Sequence, residues 1–191
     1  MKLSYVHVTT PETIETLAQA ADEIWHEYWP ERIGMGQTDY MVEQFQSVPA
    51  ITRDITEHGY LYYLVYDEEG TLIGYTGGRY EDFTANPLGP SACVHGNEIA
   101  MRAQKRIFIS KIYLYKAERG KHYASRIIEF WEDYGRTTGA EALYLTVNRE
   151  NELAVRAYLG RGFETIEAFA ADIGQGYVMD DYIMIKPLVT T

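Results

Sequence analysis

The sequence lacks several features that would identify whole classes of protein. It has one cysteine, Cys93, among 191 residues, which excludes an internal disulfide and a zinc site built from cysteines. No stretch reaches the run of about 18 to 20 apolar residues that a helix needs to cross a bilayer. The N-terminus holds a lysine but no apolar core, so it does not predict a secretory signal. These absences predict a cytoplasmic protein with neither a membrane partner nor a metal.

Basic residues are also scarce. The chain has 17 Lys and Arg against 28 Asp and Glu, a formal net charge of -11. This balance disfavours nucleic acid as a partner, because that binding depends on neutralising phosphates, and it weakly favours cationic small molecules. Positive charge is nevertheless concentrated between Arg102 and Lys121. The concentration of charge alone does not distinguish an anion-binding site from a set of salt bridges on a solvated face.

The order of predicted elements indicates a single α/β domain over residues 1–191. The pattern predicts a strand at 3–8, a helix from Thr10-Pro11, a bend at 33–36, a helical region from about Thr38, a hairpin at 60–80, an irregular stretch at 81–104, a strand at 106–115, a helix from about Gly120, a strand at 142–147, a helix at 152–159, and strands at 163–172 and 177–185. Alternating apolar and polar residues predict the strands, and apolar residues spaced three or four positions apart predict the helices.

The stretch from Arg119 to Ile128 is the centre of this order. It follows an apolar strand, contains a glycine and three basic side chains, and opens a helix. The first N–H groups of a helix have no intrahelical partner and lie at the positive end of the helix dipole. The stretch therefore predicts an anion-binding turn.

Two motifs around this turn resemble those of the GNAT superfamily of acyl-CoA-dependent N-acyltransferases. The family's pyrophosphate turn, Gln/Arg-x-x-Gly-x-Gly/Ala, is matched by Arg119-Gly120-Lys121-His122-Tyr123-Ala124. The family's second signature, an Asn followed by a helix ending in Tyr-x-x-x-Gly-Phe, is matched between Asn151 and Phe163. The resemblance implies a mixed, mostly antiparallel central sheet flanked by helices.

The resemblance also implies an N-acetyltransferase that moves an acetyl group from acetyl-CoA to a primary amine by direct attack. The pyrophosphate would lie against the turn, the pantetheine arm along the preceding strand, and Asn151 against that arm. Tyr158 is the implied acid for the departing thiolate. The implied cofactor-binding residues are Ile112, Tyr113, Leu114, Arg119, Gly120, Lys121, His122, Tyr123, Ala124, Ser125, Asn151 and Tyr158.

The sequence departs from the family pattern in two places. His122 stands where the family usually has its first glycine, and we expect its N–H to be available in helical geometry. Many members carry a glutamate on the fourth strand as general base, but residues 106–115 contain no acidic side chain. Glu98 is the candidate base, with Glu81, Asp82, a backbone carbonyl or a water chain as the other routes.

Several alternatives stay open. A non-catalytic acyl-CoA-binding regulatory module is the alternative function. A plain nucleotide-binding domain is a third and weaker reading, because the chain contains neither a G-x-G-x-x-G nor a G-x-x-x-x-G-K-[ST] motif. The acceptor is unidentified, with a small cationic amine favoured by charge, and an exposed final hairpin leaves a homodimer open. Aromatic and acidic residues on the first two helices suit either a core or an acceptor pocket; they are Trp25, Tyr28, Trp29, Tyr40, Phe45, Glu27, Glu31 and Asp39.

Overall fold

The computed structural model describes residues 2–84 and 103–188. In this part of the chain the strands are β1 (Ser4–His7), β2 (Leu61–Tyr66), β3 (Leu72–Asp82), β4 (Lys105–Leu114), β5 (Ala142–Asn148), β6 (Glu164–Gly174) and β7 (Tyr177–Pro187). The helices are α1 (Pro11–Tyr28), α2 (Pro30–Ile33), α3 (Met35–Phe45), α4 (Val48–Glu57), α5 (Tyr123–Thr138) and α6 (Glu152–Gly160), with a 3-10 helix at Lys116–Glu118.

The strands form one sheet in the order β1-β2-β3-β4-β5-β7-β6. The pairs β1/β2, β2/β3, β5/β7 and β6/β7 are antiparallel, and β4 and β5 are parallel. The predicted α/β fold, with a mixed, mostly antiparallel sheet and flanking helices, is confirmed. Contacts divide the chain into two compact units, Met1–Gly78 with Lys111–Ile127, and Arg79–Ser110 with Ile128–Thr191.

The first unit has its core between α1, α4 and the strands. Helix α1 begins where the sequence predicts, because the Thr10 side chain accepts a hydrogen bond from the Thr13 N–H and Pro11 occupies the first turn. The apolar side chains of one helix face then meet those of the sheet. The buried cluster consists of Val8, Leu17, Ala21, Ile24, Ile51, Tyr62, Leu64 and Tyr75.

The second unit packs α5 against its strands at close range. A Cβ on Gly135 would lie 2.5 Å from the end of the Leu188 side chain, so a larger residue at this position would require that side chain to move. Trp131, one turn earlier, is fully buried. A second cluster of buried side chains contains Ala103, Ala142, Tyr144, Ile183 and Ile185.

Three sequence-based boundaries were wrong. The predicted bend at 33–36 is helical apart from Gly34, whose φ of 81° separates α2 from α3, because Pro30 starts a short helix of its own. The helix predicted from about Gly120 begins at Tyr123, since Gly120 and His122 are left-handed. Strand β3 continues to Asp82, so Glu81 belongs to a strand.

Three residues named from the sequence, Cys93, Glu98 and Arg102, lie outside the described residues. Among residues 2–84 and 103–188, no helix combines the length and apolar character needed to cross a membrane.

Candidate functional site

The end of β4 presents its main chain in alternating directions. A Cβ on Gly74 of β3 would lie 2.1 Å from the Tyr113 carbonyl oxygen, so the Tyr113 main chain points toward β3. Because main-chain groups alternate along a strand, those of Ile112 and Leu114 point away from β3. Ile112 can therefore offer a donor and an acceptor to an extended chain laid beside β4, and Leu114 can offer its N–H, because the Leu114 carbonyl already accepts from Arg119 Nε.

The turn after β4 contains two left-handed residues, Gly120 with φ of 80° and His122 with φ of 63°. Both are exposed. The His122 carbonyl accepts from the Ser125 N–H at 3.2 Å, so His122 stands immediately before α5. The expectation that His122 is helical was wrong, because the turn must reverse direction before Tyr123. A left-handed conformation suits the glycine that the family usually has at this position.

His122→Gly is expected to raise the free energy of unfolding by about 1 kcal/mol, since a β-carbon in the left-handed region is strained. Chemical denaturation measures the effect. Gly120→Ala is the matched control, because no heavy atom lies within 4 Å of the position its Cβ would take. The Gly120→Ala substitution therefore acts only through the backbone conformation, and we expect it to lower the free energy of unfolding by about 1 kcal/mol. If His122→Gly lowered the free energy of unfolding as Gly120→Ala does, the backbone at His122 would not be strained.

Arg119 is held beside the end of β4. Its Nε donates to the Leu114 carbonyl at 3.0 Å, and its guanidinium lies 4.6 Å from the Tyr28 ring centroid. A second guanidinium, that of Arg32, lies 3.8 Å from the same ring. Burial lowers the pKa of Arg119, an effect opposed by Glu27 and Tyr28 and reinforced by Arg32. Arginine remains charged after such a shift, so two cations meet at Tyr28.

The segment between β4 and the turn is tied to α1 by two carboxylates. Glu27 accepts from the Lys116 N–H at 3.0 Å, and Glu23 accepts from the Tyr115 hydroxyl at 2.7 Å. These bonds fix the turn's starting position. They also show that Glu27, considered from the sequence as an acceptor-pocket carboxylate, serves the main chain of this segment.

Lys111, just before Ile112 on β4, is a buried cation. Its ammonium lies 5.5 Å from the ring centroid of Tyr62. Burial lowers the pKa of Lys111 to about 8, against the opposing charge of Asp54 on α4. Asp54 in turn accepts from the Tyr62 hydroxyl at 2.7 Å. Lys111 therefore titrates closer to neutrality than an exposed lysine does.

Asn151 and Tyr158 lie in the second unit. The Asn151 side chain accepts from the Ala154 N–H at 3.3 Å and caps α6. Tyr158 is half-buried, with its ring 5.7 Å from that of Phe163. Desolvation raises the pKa of Tyr158 to about 12, so the phenol keeps its proton at neutral pH.

Glu81, one of the alternative bases, is fully engaged in the second unit. Its oxygens accept from Arg79 Nε at 2.9 Å, Arg106 Nε at 2.8 Å and the Tyr144 hydroxyl at 3.0 Å. Asp82 accepts from the Thr84 N–H at 2.9 Å. Both carboxylates thus have structural partners.

The first unit brings together the sequence-predicted residues of β4 and of the turn, namely Ile112, Tyr113, Leu114, Arg119, Gly120, Lys121, His122, Tyr123, Ala124 and Ser125. Sequence reasoning missed Arg32, whose contact with Tyr28 has no local signal in the chain. Among the described residues, no group of three His, Cys, Asp or Glu side chains is placed to hold a metal ion.

Comparison with known proteins identifies the class. A family model described as the acetyltransferase (GNAT) family matches residues 20–163, well over half of the chain. The protein therefore belongs to the GNAT acetyltransferase family, an acyltransferase family for which acetyl-CoA is the co-substrate. The chain matches no curated protein.

Solved structures share the fold at low identity. PaiA N-acetyltransferase from Thermoplasma acidophilum, in complex with coenzyme A, is 17% identical with a TM-score of 0.69, over 98% of this chain and 99% of that chain. NAA60 from Arabidopsis thaliana, with a bisubstrate analogue, is 15% identical with a TM-score of 0.64, over 100% of both chains. A spermidine N-acetyltransferase chimera from Vibrio cholerae and hSSAT is 18% identical with a TM-score of 0.62, over 98% and 96%.

Proposed function

We propose that the protein is an N-acetyltransferase that moves the acetyl group of acetyl-CoA to the primary amine of a small cationic acceptor by direct attack. The observation that carries this proposal is the exposed, left-handed turn of Gly120 and His122 at the start of α5. Within a GNAT acetyltransferase, this turn is the group of N–H donors that a pyrophosphate requires.

The residues of the turn fit the phosphates of coenzyme A. Gly120 has open space on its Cβ side, so an oxygen can approach its backbone closely. The main-chain N–H groups of Lys121 to Ala124 would supply donors, since the Ser125 N–H already bonds to the His122 carbonyl, and Arg119 supplies charge close by. Ile112 and Leu114, with main chains directed away from β3, would pair with the pantetheine amides as an added strand does.

Acetyl-CoA supplies the thioester carbonyl that the amine attacks. Tyr158 then donates its phenol proton toward the departing sulfur, which requires the phenol to be neutral at the start. The raised pKa of Tyr158 meets that requirement. Asn151 would hold the pantetheine arm in addition to capping α6.

A cationic acceptor is favoured by the net charge of -11, since an acidic surface attracts cations. The structural neighbour named as a spermidine N-acetyltransferase supports the same class. Polyamines, aminoglycoside-like amines, amino acids and protein lysines or N-termini form the panel to be tested.

Isothermal titration with acetyl-CoA tests the first half of the proposal, and we expect a dissociation constant between about 1 μM and 1 mM. Release of free thiol across the amine panel tests the second half. Absence of binding up to about 1 mM would reject both acetyl transfer and acyl-CoA binding.

The alternative function is a non-catalytic acyl-CoA-binding module. The absence of an acidic side chain on β4 favours it, because the family's usual base is missing there. Tight binding of acetyl-CoA without thiol release on any amine would establish the module and reject the transferase.

A further inference from the structure

Asp181 on β7 is a buried carboxylate with too few partners. Its side chain is 5% exposed, and its Oδ1 has no hydrogen-bond partner among the described residues. Desolvation raises the pKa of Asp181 to about 6, with the Thr146 hydroxyl opposing and Asp180 adding to the rise. Burying a carboxylate in this way costs stability.

Asp181 lies beside the carboxyl end of a parallel strand. The pairing of β5 with β4 runs from Ala142 to Leu145, and β5 then continues to Asn148, which is directly opposite Asp181. Residues directly opposite in a sheet share a face. In open, mostly parallel α/β sheets, ligands bind beyond the carboxyl ends of the strands, and the parallel β4/β5 pair offers such an edge here.

The same end of β5 leads directly into α6, the helix that carries Tyr158. The Asn148 carbonyl accepts from the Asn151 N–H at 2.9 Å, and its side chain accepts from the Glu150 N–H at 3.0 Å. Asp181 is therefore paired with the residue from which the chain turns into α6. All of these residues belong to the second unit.

No neighbouring charge of the described chain balances Asp181. Across the two adjacent strands it faces Asn148 of β5 and Phe169 of β6, neither of which titrates. The next residue on β7, Asp180, is itself an acid, and it pairs with Arg149 at 3.2 Å. An ammonium group bound beside Asp181 would supply the positive charge that these neighbours do not.

We propose that Asp181 is the general base that accepts a proton from the ammonium group of the acceptor. This inference rests on the proposed acetyl transfer and supplies the base that β4 lacks. The ammonium passes one proton to the Asp181 carboxylate, and the freed nitrogen lone pair forms the bond to the thioester carbon. The carbon–sulfur bond breaks, and the sulfur takes the proton donated by Tyr158. The nitrogen's second proton restores that phenol through solvent, and Asp181 returns its own proton to water.

The test compares Asp181→Asn with Asp180→Asn, which removes an acid from the adjacent, half-exposed position. We expect Asp181→Asn to lower kcat/KM for amine acetylation by about 100-fold or more, with unchanged acetyl-CoA affinity by titration. It should also raise the melting temperature at pH 8 by several degrees, because the buried charge is removed. Asp180→Asn should leave kcat/KM and acetyl-CoA affinity unchanged.

The pH profile gives a readout that a purely structural aspartate would not change. In the wild-type enzyme, kcat/KM should fall below about pH 6 as Asp181 is protonated. The pH at which this fall occurs should not change when the acceptor amine is changed, because it belongs to the enzyme and not to the amine. If the wild-type enzyme acetylates amines and the Asp181→Asn variant is equally active, Asp181 is not the general base, and the proposed acetyl transfer still stands. A wild-type enzyme that releases no thiol with any amine would overturn both. If the variant does not fold, the presence or absence of the pH 6 limb in the wild-type enzyme decides.

Discussion

Glu81→Gln is expected to lower the free energy of unfolding by about 3 to 5 kcal/mol, because it leaves buried guanidinium charge without its counterion. The Arg106 side chain is 1% exposed, and its guanidinium lies 3.8 Å from the Phe83 ring centroid and 5.0 Å from that of Tyr144. Neither ring replaces a carboxylate. Burial raises the pKa of Tyr144 well above its usual value, so its hydroxyl remains a donor and competes with two guanidinium groups for the one acceptor oxygen that a glutamine keeps.

Urea denaturation of the purified protein measures this loss. Glu167→Gln is the control, since Glu167 is exposed on β6 and should change stability by less than about 0.5 kcal/mol. A loss below about 1 kcal/mol for Glu81→Gln would show that water reaches the cluster. In that case Glu81 would again be a candidate for proton transfer.

Local patterns in the sequence were sufficient for most of the fold. The start of α1 follows from Thr10 and Pro11, whose cap and fixed φ act within one turn of chain. The strand β4 and its following turn could be placed because an apolar run ends at a basic, glycine-containing segment. Signals of this kind involve neighbouring residues, and tertiary packing preserves them.

The parts of the candidate site that escaped prediction depend on distant contacts. Arg32 and Arg119 are far apart in the chain, and only the folded first unit brings both to the ring of Tyr28. The burial of Lys111 could not be read from the apolar run that contains it, because that burial depends on Tyr62 and Asp54, which are distant in the chain. The left-handed φ of His122 was missed because histidine has no strong preference for that region, unlike glycine.

The same distinction applies to the candidate base. The sequence directed attention to β4 and to the residues after β3, where the carboxylate of a relative or a loop would lie. Asp181 follows another aspartate in an ordinary alternating strand, and nothing local separates the buried acid from the exposed one. Only the register of β7 against β5 and the unpartnered Oδ1 distinguish them.

Tyr158→Phe is expected to lower kcat by about 100-fold while acetyl-CoA affinity stays the same. Among the described residues, no hydrogen bond of the Tyr158 hydroxyl is found, so its donor is available to a ligand. A hydrogen bond to a charged group is worth about 1.5 to 3 kcal/mol, or about 10- to 150-fold in rate. Single-turnover thiol release measures the chemical step separately from binding.

The pKa of about 12 for Tyr158 decides how that donor acts. A free thiol has a pKa near 8.5, so complete transfer from the phenol to the thiolate is uphill by about 5 kcal/mol in water. In the transition state Tyr158 therefore acts mainly as a hydrogen-bond donor to the developing charge on sulfur, and the proton transfer is completed as the nitrogen's second proton restores the phenol. The same pKa also means that ionisation of Tyr158 should produce no alkaline fall in kcat/KM below about pH 11.

Tyr134→Phe provides the matched control for Tyr158→Phe. Tyr134 is also a half-buried tyrosine of the second unit, and its ring packs 5.7 Å from that of Trp131. Loss of its hydroxyl should leave kcat unchanged, because the proposed mechanism gives it no role. Equal turnover of Tyr158→Phe and Tyr134→Phe would remove Tyr158 from the chemistry, and the sulfur would then take its proton from solvent.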